Sequence, residues 1–571
     1  MIKICMIAMT SDAPIREKQV LLAPYTLKRY VENNIIPKGA INVHVIDFPF
    51  DADPRKMAHQ ALQYHPDIVV LSFYVWNYLE LMKCAEILKK EMNELIIVAG
   101  GPMVSFNAEE VMKEHPYIDV TSYDDTHGEI VFQGLIQSLL DKKSMEEASG
   151  IVYRSNDKLI KTKKVEGNVV HSVESSPFIN NDIVLSDKQG YYVTIETSRG
   201  CPFDCGYCIW GSSRKRMEYF PMERVLKEIE LIYNNPNVKH VLFVDSNMLL
   251  NKKRAIQIVQ HIKKQKYYKS ISTRMHLYIT SMDEESAKIL STLPNFSFDF
   301  GLQTANPDAL TLISKHRATA NQFEEKIELM RKWVPELKFG VDLMIGLPGD
   351  SLDAFKKTLD FCFSIEPYRF FMAYPISLFP GTRFYEERER LKLHYWHSHP
   401  QCILATDDFP EQDMQEAVRL ATWTQILAYY YPAISNFFYS VCKEEFDGAR
   451  FRLMERWVNL IDSKVNLFRN VNFAEFRENP VKEWYIQKGN LLESASSAQV
   501  AYIIYSTIHE LHKSNKPAFE KNIDLGFKVF SYYLENNLNP IGQAELNSLP
   551  KDLYEKYTED EIREVHSIFR R

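Results

Sequence analysis

The segment Glu196-Thr-Ser-Arg-Gly-Cys-Pro-Phe-Asp-Cys-Gly-Tyr-Cys-Ile-Trp210 contains the only cluster of cysteines in the chain. Its members, Cys201, Cys205 and Cys208, are spaced Cys-x-x-x-Cys-x-Tyr-Cys and follow an apolar run, residues 191–195, that predicts a strand. Three thiolates on one short loop can hold three irons of a cubane cluster, whereas cubanes that only transfer electrons usually take four cysteines. The loop therefore predicts a cluster with one open iron, where a small molecule can bind and be reduced.

A structural zinc site is the main alternative for a cysteine cluster, and the spacing argues against it. Such a site takes four ligands, typically from two Cys-x-x-Cys pairs, and the chain has no second pair. The other cysteines are scattered singly and are interpreted as small core hydrophobes. They are Cys5, Cys84, Cys362, Cys402 and Cys442. This distribution fits a reducing cytoplasm and not a disulfide scaffold.

The cysteine motif resembles that of the radical S-adenosylmethionine (SAM) superfamily, in which an aromatic residue, here Tyr207, precedes the last cysteine. The resemblance implies a [4Fe-4S] cluster bound by Cys201, Cys205 and Cys208. It also implies that the open iron chelates the amino and carboxylate groups of SAM, whose one-electron cleavage gives a 5′-deoxyadenosyl radical.

The composition is that of a large globular protein. The chain has 571 residues, enough for roughly three or four domains, and 45% of them are hydrophobic and 25% charged. The formal net charge of −7 gives no general basic character for binding nucleic acid. No stretch has the length of a transmembrane span, and the short apolar run at the N-terminus predicts a buried strand and not a signal peptide. We therefore expect a cytoplasmic protein with no membrane or nucleic-acid partner.

Residues 1–140 alternate strand and helix patterns, which predicts a doubly wound parallel sheet of the flavodoxin or Rossmann type. Ligands of such sheets bind beyond the carboxyl ends of the strands. Strands are predicted at residues 2–8, 41–46, 68–73, 95–99 and 118–121, and helices at 17–32, 54–64, 78–91 and 107–115.

Three loops of this region resemble the cobalamin-binding domain that precedes many radical SAM domains. They are Ser72-Phe-Tyr-Val-Trp-Asn77, Gly100-Gly-Pro-Met-Val-Ser105 and His127-Gly-Glu129. Two adjacent glycines after a strand let a flat ligand approach the backbone closely. The resemblance implies that cobalamin is bound by Ser72, Tyr74, Trp76, Gly100, Gly101, Gly128 and Glu129.

The chain departs from the family's cobalamin-binding pattern in one loop and differs from classical cobalamin enzymes in another. The family usually has a Gly-Glu-Gly-Glu run where this chain has residues 123–129. Classical cobalamin mutases carry Asp-x-His-x-x-Gly after the first strand, and residues 6–14 contain no histidine. We therefore expect cobalt without a protein histidine ligand, and we interpret His127 as a solvated loop residue. A flavodoxin-like domain with another ligand, or with none, is the alternative, since Gly-Gly-Pro also makes a plain turn.

Residues 141–190 predict a linker that contains a hairpin at 150–164, and residues 191–385 alternate strands and helices again. Their six strand–helix units resemble the partial (β/α)6 barrel of radical SAM proteins, a type of barrel that carries its chemistry at the carboxyl ends of the strands. The predicted strands are residues 192–196, 240–245, 271–279, 297–303, 338–345 and 369–375. The predicted helices are 222–234, 252–264, 284–291, 321–333 and 352–364.

Polar residues near these strand ends are candidates for binding SAM. By resemblance, Asp245 and Gln303 would hold its amino acid or ribose part, Gly346 would allow close approach of the adenosine, and the backbone at Tyr207 would face adenine. Asp342 completes the predicted set. An ammonium group needs a carboxylate or carbonyl oxygen, and ribose hydroxyls need polar side chains. Each residue could instead be a strand-end polar group satisfied by loop backbone.

Two further regions are interpreted as structural. The run Lys315-His316-Arg317 favours a solvated cluster of charges over a loop clamp. Residues 386–571 predict a mainly helical C-terminal domain rich in aromatics, which at helical spacing are usually core, with some pocket lining.

The resemblance as a whole implies a cobalamin-dependent radical SAM enzyme, and most such relatives transfer methyl to an unactivated carbon or to phosphorus. An sp3 carbon has no lone pair for ordinary alkylation, so a radical must be made first. We therefore expect a C-methyltransferase for a natural product or peptide, served by an electron donor such as flavodoxin or ferredoxin. The alternatives are a radical SAM/cobalamin cyclase or ring-rearranging enzyme, a non-radical tryptophan-type C-methyltransferase, and a cobalamin-binding sensor or carrier.

Overall fold

A computed structural model provides the three-dimensional structure of the chain. It describes residues 1–10, 17–49, 51–124, 126–156, 158–166, 171–186, 190–210, 216–296, 298–314, 317–366, 373–396, 401–427, 450–465 and 498–512, together with residues 169, 431, 434, 438–439, 442, 528–529 and 562.

A seven-stranded sheet forms the centre of the N-terminal region. The first eight strands are β1 (Ile2–Met9), β2 (Lys18–Val20), β3 (Ile41–Phe48), β4 (Ile68–Ser72), β5 (Ile96–Gly100), β6 (Val120–Ser122), β7 (Ile151–Ser155) and β8 (Lys158–Lys161). All but β2 join in the order β3-β1-β4-β5-β6-β7-β8. The strands from β3 to β6 are parallel, whereas β7 and β8 continue the sheet antiparallel. The predicted hairpin is therefore present, and it extends this sheet.

Helices cover both faces of the sheet, which is why its central strands are continuously apolar. The helices are α1 (Leu22–Asn34), α2 (Pro54–Leu62), α3 (Tyr78–Glu91), α4 (Pro102–Ser105), α5 (Ala108–Glu114) and α6 (Gly128–Leu140). Successive side chains of β1 alternate between two cores. Cys5 and Ile7 pack with α2, α3 and α5, whereas Ile4 and Met6 pack with α1 and α6.

The middle of the chain forms an open, barrel-like array of parallel strands. The strands of this region are β9 (Tyr191–Ile195), β10 (Ser198–Arg199), β11 (Glu218–Tyr219), β12 (Val238–Phe243), β13 (Ser272–Met275), β14 (Phe298–Gln303), β15 (Phe339–Ile345) and β16 (Ala373–Pro375). Of these, β10 and β11 form a separate antiparallel pair. Strands β9, β12 and β13 pair in that order, as do β14, β15 and β16. Two isolated parallel bridges, Thr273 with Phe296 and Leu277 with Phe300, connect the two sets. The six-stranded partial barrel predicted from the sequence is thus confirmed.

In the described part of this region six helices follow the barrel strands, and five of them lie where the sequence pattern predicts. They are α7 (Met222–Tyr233), α8 (Lys252–Ile262), α9 (Glu284–Leu290), α10 (Pro307–Ile313), α11 (Ala320–Trp333) and α12 (Leu352–Ser364). Helix α10 was not predicted. It begins with the side chain of Asn306 accepting a hydrogen bond from Asp308 N, and its first residue, Pro307, suits a helix start.

Strand β2 crosses from the N-terminal region into the barrel. The pattern predicts helix from residue 17, and this is wrong for its first residues, because Lys18–Val20 pairs in parallel with β9. Gln19 and Val20 are buried by that pairing. The helical periodicity of α1 continues back through Lys18–Val20. These residues form a strand because they pair with β9, which lies far along the chain.

The remainder of the described chain is a small antiparallel sheet followed by helices. The strands are β17 (Ser377–Leu378), β18 (His394–Tyr395) and β19 (Gln401–Ala405), and the helices are α13 (Arg383–Glu386), α14 (Glu411–Gln425), α15 (Arg450–Val465) and α16 (Ala498–His512). Trp423 and Trp457 are fully buried in the same core as the barrel, so these aromatics are core as predicted. None of the described helices combines the length and apolar character needed to cross a membrane.

Candidate functional site

The three cysteines lie on a loop whose two ends are tied together. Strands β10 and β11, on either side of the loop, pair antiparallel. Within the loop, Gly206 N donates to Ile313 O at 2.8 Å, and Gly206 O accepts from Phe384 N at 2.8 Å. A Cβ at Gly206 would collide with the Phe384 ring, so only glycine fits between Cys205 and Tyr207. The cysteine loop is thereby fixed against the end of α10 and the start of α13.

All three cysteines line one cavity of about 260 Å³ at the carboxyl end of the barrel strands. Cys201 and Cys205 are buried, and Cys208 is partly exposed. The other lining residues are Phe203, Tyr207, Trp210, Ser246, Asn247, Arg274, His276, Leu277, Tyr278, Asp299, Gly301, Gln303, Ser314, Arg317 and Asp342. The cavity therefore combines soft sulfur donors with polar and aromatic groups.

This donor set fits a [4Fe-4S] cluster. Each cysteine of such a cluster binds a different iron, so the sulfurs need not converge on one point. Among the described residues, no three His, Cys, Asp or Glu side chains converge on a single metal ion. Three cysteines around one cavity match the ligand count of a cubane with one open iron, whereas a structural zinc site needs four ligands around one ion.

Arg317 contacts the cysteine loop directly, contrary to the interpretation of residues 315–317 as solvated charges. Its guanidinium donates to Cys205 Sγ at 3.2 Å and to the Tyr207 hydroxyl at 2.8 Å. Burial alone lowers the pKa of Arg317, but Tyr207 and Cys205 raise it above its usual value, so the side chain stays charged. Lys315 and His316 lie outside the described residues. No local sequence pattern distinguishes Arg317 from a surface arginine.

Three residues of the predicted SAM-binding set line the cavity: Tyr207, Gln303 and Asp342. Gln303 ends β14 with a backbone φ of 72°, in the left-handed region that a residue with a side chain rarely adopts. Its side chain folds back over Gly301, where a Cβ would collide with Gln303 Nε2. Such strained positions concentrate at functional sites.

The other two predicted SAM residues, Asp245 and Gly346, are not among the residues that line the cavity. Asp245 is almost fully buried, and its carboxylate accepts hydrogen bonds from Thr197 Oγ1 at 2.8 Å and from the Ser198 hydroxyl. Burial raises the pKa of Asp245 to about 6. Gly346 has a φ of 86°, and a Cβ there would lie 2.6 Å from Met414 Cε. Asp245 thus anchors the residues just before the cysteines, and Gly346 accommodates α14.

Arg274, His276 and Asp299 line the cavity together with Trp210. Arg274 Nε lies 3.2 Å from Asp299 Oδ2 on the neighbouring strand. His276 and Trp210 meet edge to face, with ring centroids 5.5 Å apart. Burial, helped by the charge of Arg274, lowers the pKa of His276 to about 4, so the imidazole is neutral at ordinary pH. The sequence marks Arg274 and His276 only as polar residues in a strand.

In the N-terminal region, four of the predicted cobalamin-binding residues meet at the carboxyl edge of the sheet. Ser72 and Gly100 are paired at the ends of β4 and β5. The rings of Tyr74 and Trp76 stack with centroids 4.5 Å apart and planes 7° apart. Trp76 Nε1 donates to Met9 O at 3.4 Å, which holds the stacked rings near the end of β1.

The two adjacent glycines of this edge do different things. Gly101 has a φ of 96°, and a Cβ there would lie 2.6 Å from Phe73 O, so the packing of two loops requires glycine. A Cβ at Gly100 would meet nothing within 4 Å. The backbone at Gly100 is therefore uncovered, and a flat macrocycle such as cobalamin needs such a surface for close approach.

Gly128 and Glu129 begin α6, and Glu129 faces the cysteine loop. The Glu129 carboxylate is buried and pairs with Arg199 at 2.8 Å. His127, interpreted from sequence as solvated, is partly buried, and its Nδ1 lies 2.9 Å from Asp124 Oδ2. The last predicted cobalamin loop is thus held by contacts within the protein.

Comparison with known proteins gives two family matches and several relatives. Residues 27–131 match the B12 binding domain, and residues 195–362 match the Radical SAM superfamily. An uncharacterized methyltransferase of Pyrococcus horikoshii is 28% identical over 57% of this chain and 70% of its own length. The cobalamin-dependent radical SAM methyltransferase TokK of Streptomyces tokunonensis is 30% identical over 32% of this chain, and the match spans 28% of TokK.

Two solved structures share the fold. The cobalamin-dependent SAM radical enzyme OxsB, with aqua-cobalamin bound, superposes with a TM-score of 0.61 at 15% identity, over 94% of this chain and 84% of its own. The radical SAM methyltransferase TsrM of Kitasatospora setae, with cobalamin and a [4Fe-4S] cluster bound, gives 0.54 at 14% identity, over 71% and 79%. With its B12-binding sheet, its three-cysteine barrel and these relatives, the chain belongs to the cobalamin-dependent radical SAM enzyme family.

Proposed function

We propose that the protein is a C-methyltransferase that acts on an unactivated carbon of a natural product or peptide. One observation carries the proposal. The cavity lined by three cysteines and the sheet edge that resembles a cobalamin site are connected by the contact between Glu129 and Arg199. The two relatives named above carry methyltransferase in their descriptions, which supports the same activity.

The proposed roles follow the division of the chain. Residues 1–140 would bind cobalamin, and residues 191–385 the cluster and SAM. The described helices of the C-terminal region share the core of the barrel. When bound, the cluster supplies the electron that cleaves SAM, and cobalamin supplies a carrier for the methyl group. An external electron donor such as flavodoxin or ferredoxin would reduce both.

The side chains of the cavity would hold and orient the reactants. Cys201, Cys205 and Cys208 bind three irons. Asp342 offers a carboxylate to an ammonium group, and Gln303 offers an amide to hydroxyl groups. Trp210, Tyr278 and Phe203 add aromatic surface that keeps water from the reacting atoms.

Anaerobic reconstitution with iron, sulfide and cobalamin, followed by incubation with reductant and trideuteromethyl SAM, tests the proposal. The acceptor is a metabolite extract of the source cells, and the products are analysed by mass spectrometry. We expect S-adenosylhomocysteine, 5′-deoxyadenosine and a compound that has gained one trideuterated methyl group. Cys205→Ala should give none of these, and Cys402→Ala, which changes a cysteine away from the cavity, should give all three.

The same measurement separates the other activities. A ring-forming or rearranging enzyme would give 5′-deoxyadenosine without adenosylhomocysteine. This alternative has support from an anaerobic magnesium-protoporphyrin cyclase of Cereibacter sphaeroides, 21% identical over 58% of this chain and 54% of its own length. A non-radical methyltransferase would give adenosylhomocysteine and a methylated product without 5′-deoxyadenosine, and a sensor or carrier would give none of the three.

A further inference from the structure

Three charged residues, the buried Glu129 and the partly buried Glu196 and Arg199, connect the B12-binding region to the cysteine loop. Arg199 NH2 lies 2.8 Å from Glu129 Oε1, and Arg199 also donates to both carboxylate oxygens of Glu196 at 2.8 and 3.0 Å. Glu129 lies in the segment that matches the B12 binding domain, whereas Glu196 and Arg199 lie in the segment that matches the radical SAM superfamily. The contact therefore crosses the boundary between the regions that serve the two cofactors.

These three residues lie next to the cysteine loop. Arg199 is the last residue of β10 and lies two positions before Cys201, so a shift of the Arg199 guanidinium would move the backbone at Cys201. The Glu129 side chain is only 5% exposed. A carboxylate removed from water in this way is stable only with a partner, and Arg199 is that partner.

The same three residues adjoin the loop predicted to bind cobalamin. Burial raises the pKa of Tyr74, a hydrogen bond with Ser72 lowers it, and the charges of Glu196 and Arg199 act on it to a smaller extent. Burial alone would raise the pKa of Glu129, yet the charge of Arg199 and its hydrogen bond keep it below the usual value. Glu129 is therefore a carboxylate already engaged by the protein.

We propose that Glu129 and Arg199 are positioning residues that fix the cysteine loop against the cobalamin-binding domain, and that this contact sets the separation between cobalamin and the cluster. Glu129 then acts through Arg199, and the sequence prediction that Glu129 binds cobalamin is replaced by this role. The inference depends on the two cofactors and not on methyl transfer, so it stands or falls separately from the proposed activity.

Pulsed EPR of the full chain tests the proposal, because cob(II)alamin and the dithionite-reduced cluster are both paramagnetic. The measured quantity is the distribution of distances between them. E129Q keeps the shape of the side chain and leaves Arg199 paired with Glu196, so the protein should fold. R199K keeps the positive charge but loses the planar fork that reaches two carboxylates at once.

We expect both variants to hold wild-type amounts of iron and cobalamin and to lose the narrow wild-type distance distribution. The double variant should broaden it no further, since residues that act as one unit are not additive. E129D, which keeps the charge, should restore most of the wild-type distribution. The matched control is E455Q, which breaks a partly exposed pair with Lys356 (2.7 Å) on helices away from both cofactors and should change nothing.

Two results would overturn the proposal. One is a wild-type distribution in both E129Q and R199K. The other is a loss of cobalamin affinity in E129Q with normal affinity in R199K, which would make Glu129 a cobalamin ligand as the sequence predicts. If R199K does not assemble its cluster, the comparison of E129Q with E129D decides, and identical distributions in these two variants contradict the proposal.

Discussion

The cysteine loop and the loops at the carboxyl edge of the N-terminal sheet face each other, and backbone hydrogen bonds hold both, as where Gly206 N donates to Ile313 O and Phe73 N donates to Gly100 O, each at 2.8 Å. In the cysteine loop, polar side chains add to these bonds: Asp245 accepts from Thr197, and Arg317 donates to Cys205. On the other side, Gly101 packs against Phe73 O with no space for a side chain. Removing the Arg317 side chain should therefore weaken the first region, whereas adding a side chain at Gly101 should disrupt the second.

The largest effect should come from the cysteines themselves. We expect Cys205→Ala to abolish iron binding at the barrel and all SAM cleavage while cobalamin is retained, because two remaining thiolates cannot hold a cubane with one open iron. Iron analysis and the visible spectrum measure this. Cys402→Ala is the matched control and should stay brown, and a Cys205→Ala protein with full iron would refute the ligand assignment.

At the carboxyl edge of the N-terminal sheet, adding a methyl group should destabilise the protein at Gly101 and not at its neighbour Gly100. Gly101→Ala forces a side chain into a positive φ and against Phe73 O, at a cost of about 1–3 kcal/mol from the backbone conformation alone. Loss of cobalamin with retained iron is the expected outcome. Gly100→Ala should stay within about 1 kcal/mol of wild type in stability and lower only cobalamin affinity. Equal unfolding temperatures for the two variants would contradict this distinction.

A smaller effect is expected when the cysteine loop loses one supporting side chain but keeps its ligands. Arg317→Gln removes the charged donor to Cys205 Sγ and Tyr207. Iron content should persist, and the rate of 5′-deoxyadenosine formation should fall about 10–100-fold, the usual range for groups that orient metal ligands. Arg331→Gln, which removes donors to the backbone carbonyls of the two residues that follow α12, is the control. An unchanged rate in Arg317→Gln would show that the contact is incidental.

The smallest effect concerns pH. The pKa of His276 is about 4 in the folded protein, below the ordinary value of 6.5, so the unfolded state takes up a proton first as pH falls. Stability should therefore be full above pH 6.5 and decrease towards pH 4, by at most about 1.4 kcal/mol per pH unit from this group. Melting temperatures at pH 7 and pH 5 should differ less in His276→Asn than in wild type. His240→Asn, an exposed histidine of the same sheet, should behave like wild type.

Features that depend on spacing within one segment were predictable from the sequence. The cysteine loop needs only three thiolates at fixed intervals, and β4 needs only a continuous apolar run such as Ile68–Ser72. Apart from β2 and α10, the order of strands and helices in both parallel regions was predictable for the same reason.

Features that depend on distant partners were not predictable. No sequence pattern distinguishes Arg199 or Arg317, and the resemblance assigned Asp245 to SAM and not to the cysteine loop. Their partners in the fold come from other segments of the chain. Glu129 shows the converse: a local resemblance predicted a ligand, and a partner from another region occupies its carboxylate. Strand β2 belongs to the same class, since only its pairing with β9 decides its conformation.

That short strand also has a consequence for synthesis of the chain. On the ribosome the N-terminal sheet can begin to fold early, but Lys18–Val20 has no partner until Tyr191–Ile195 has emerged. Conversely, a fragment that starts after residue 140 would present one side of β9 with bare backbone N–H and C=O groups, a known template for aggregation. The two cofactor regions are interlaced in one polypeptide, and attempts to express them as independent halves should yield insoluble barrel.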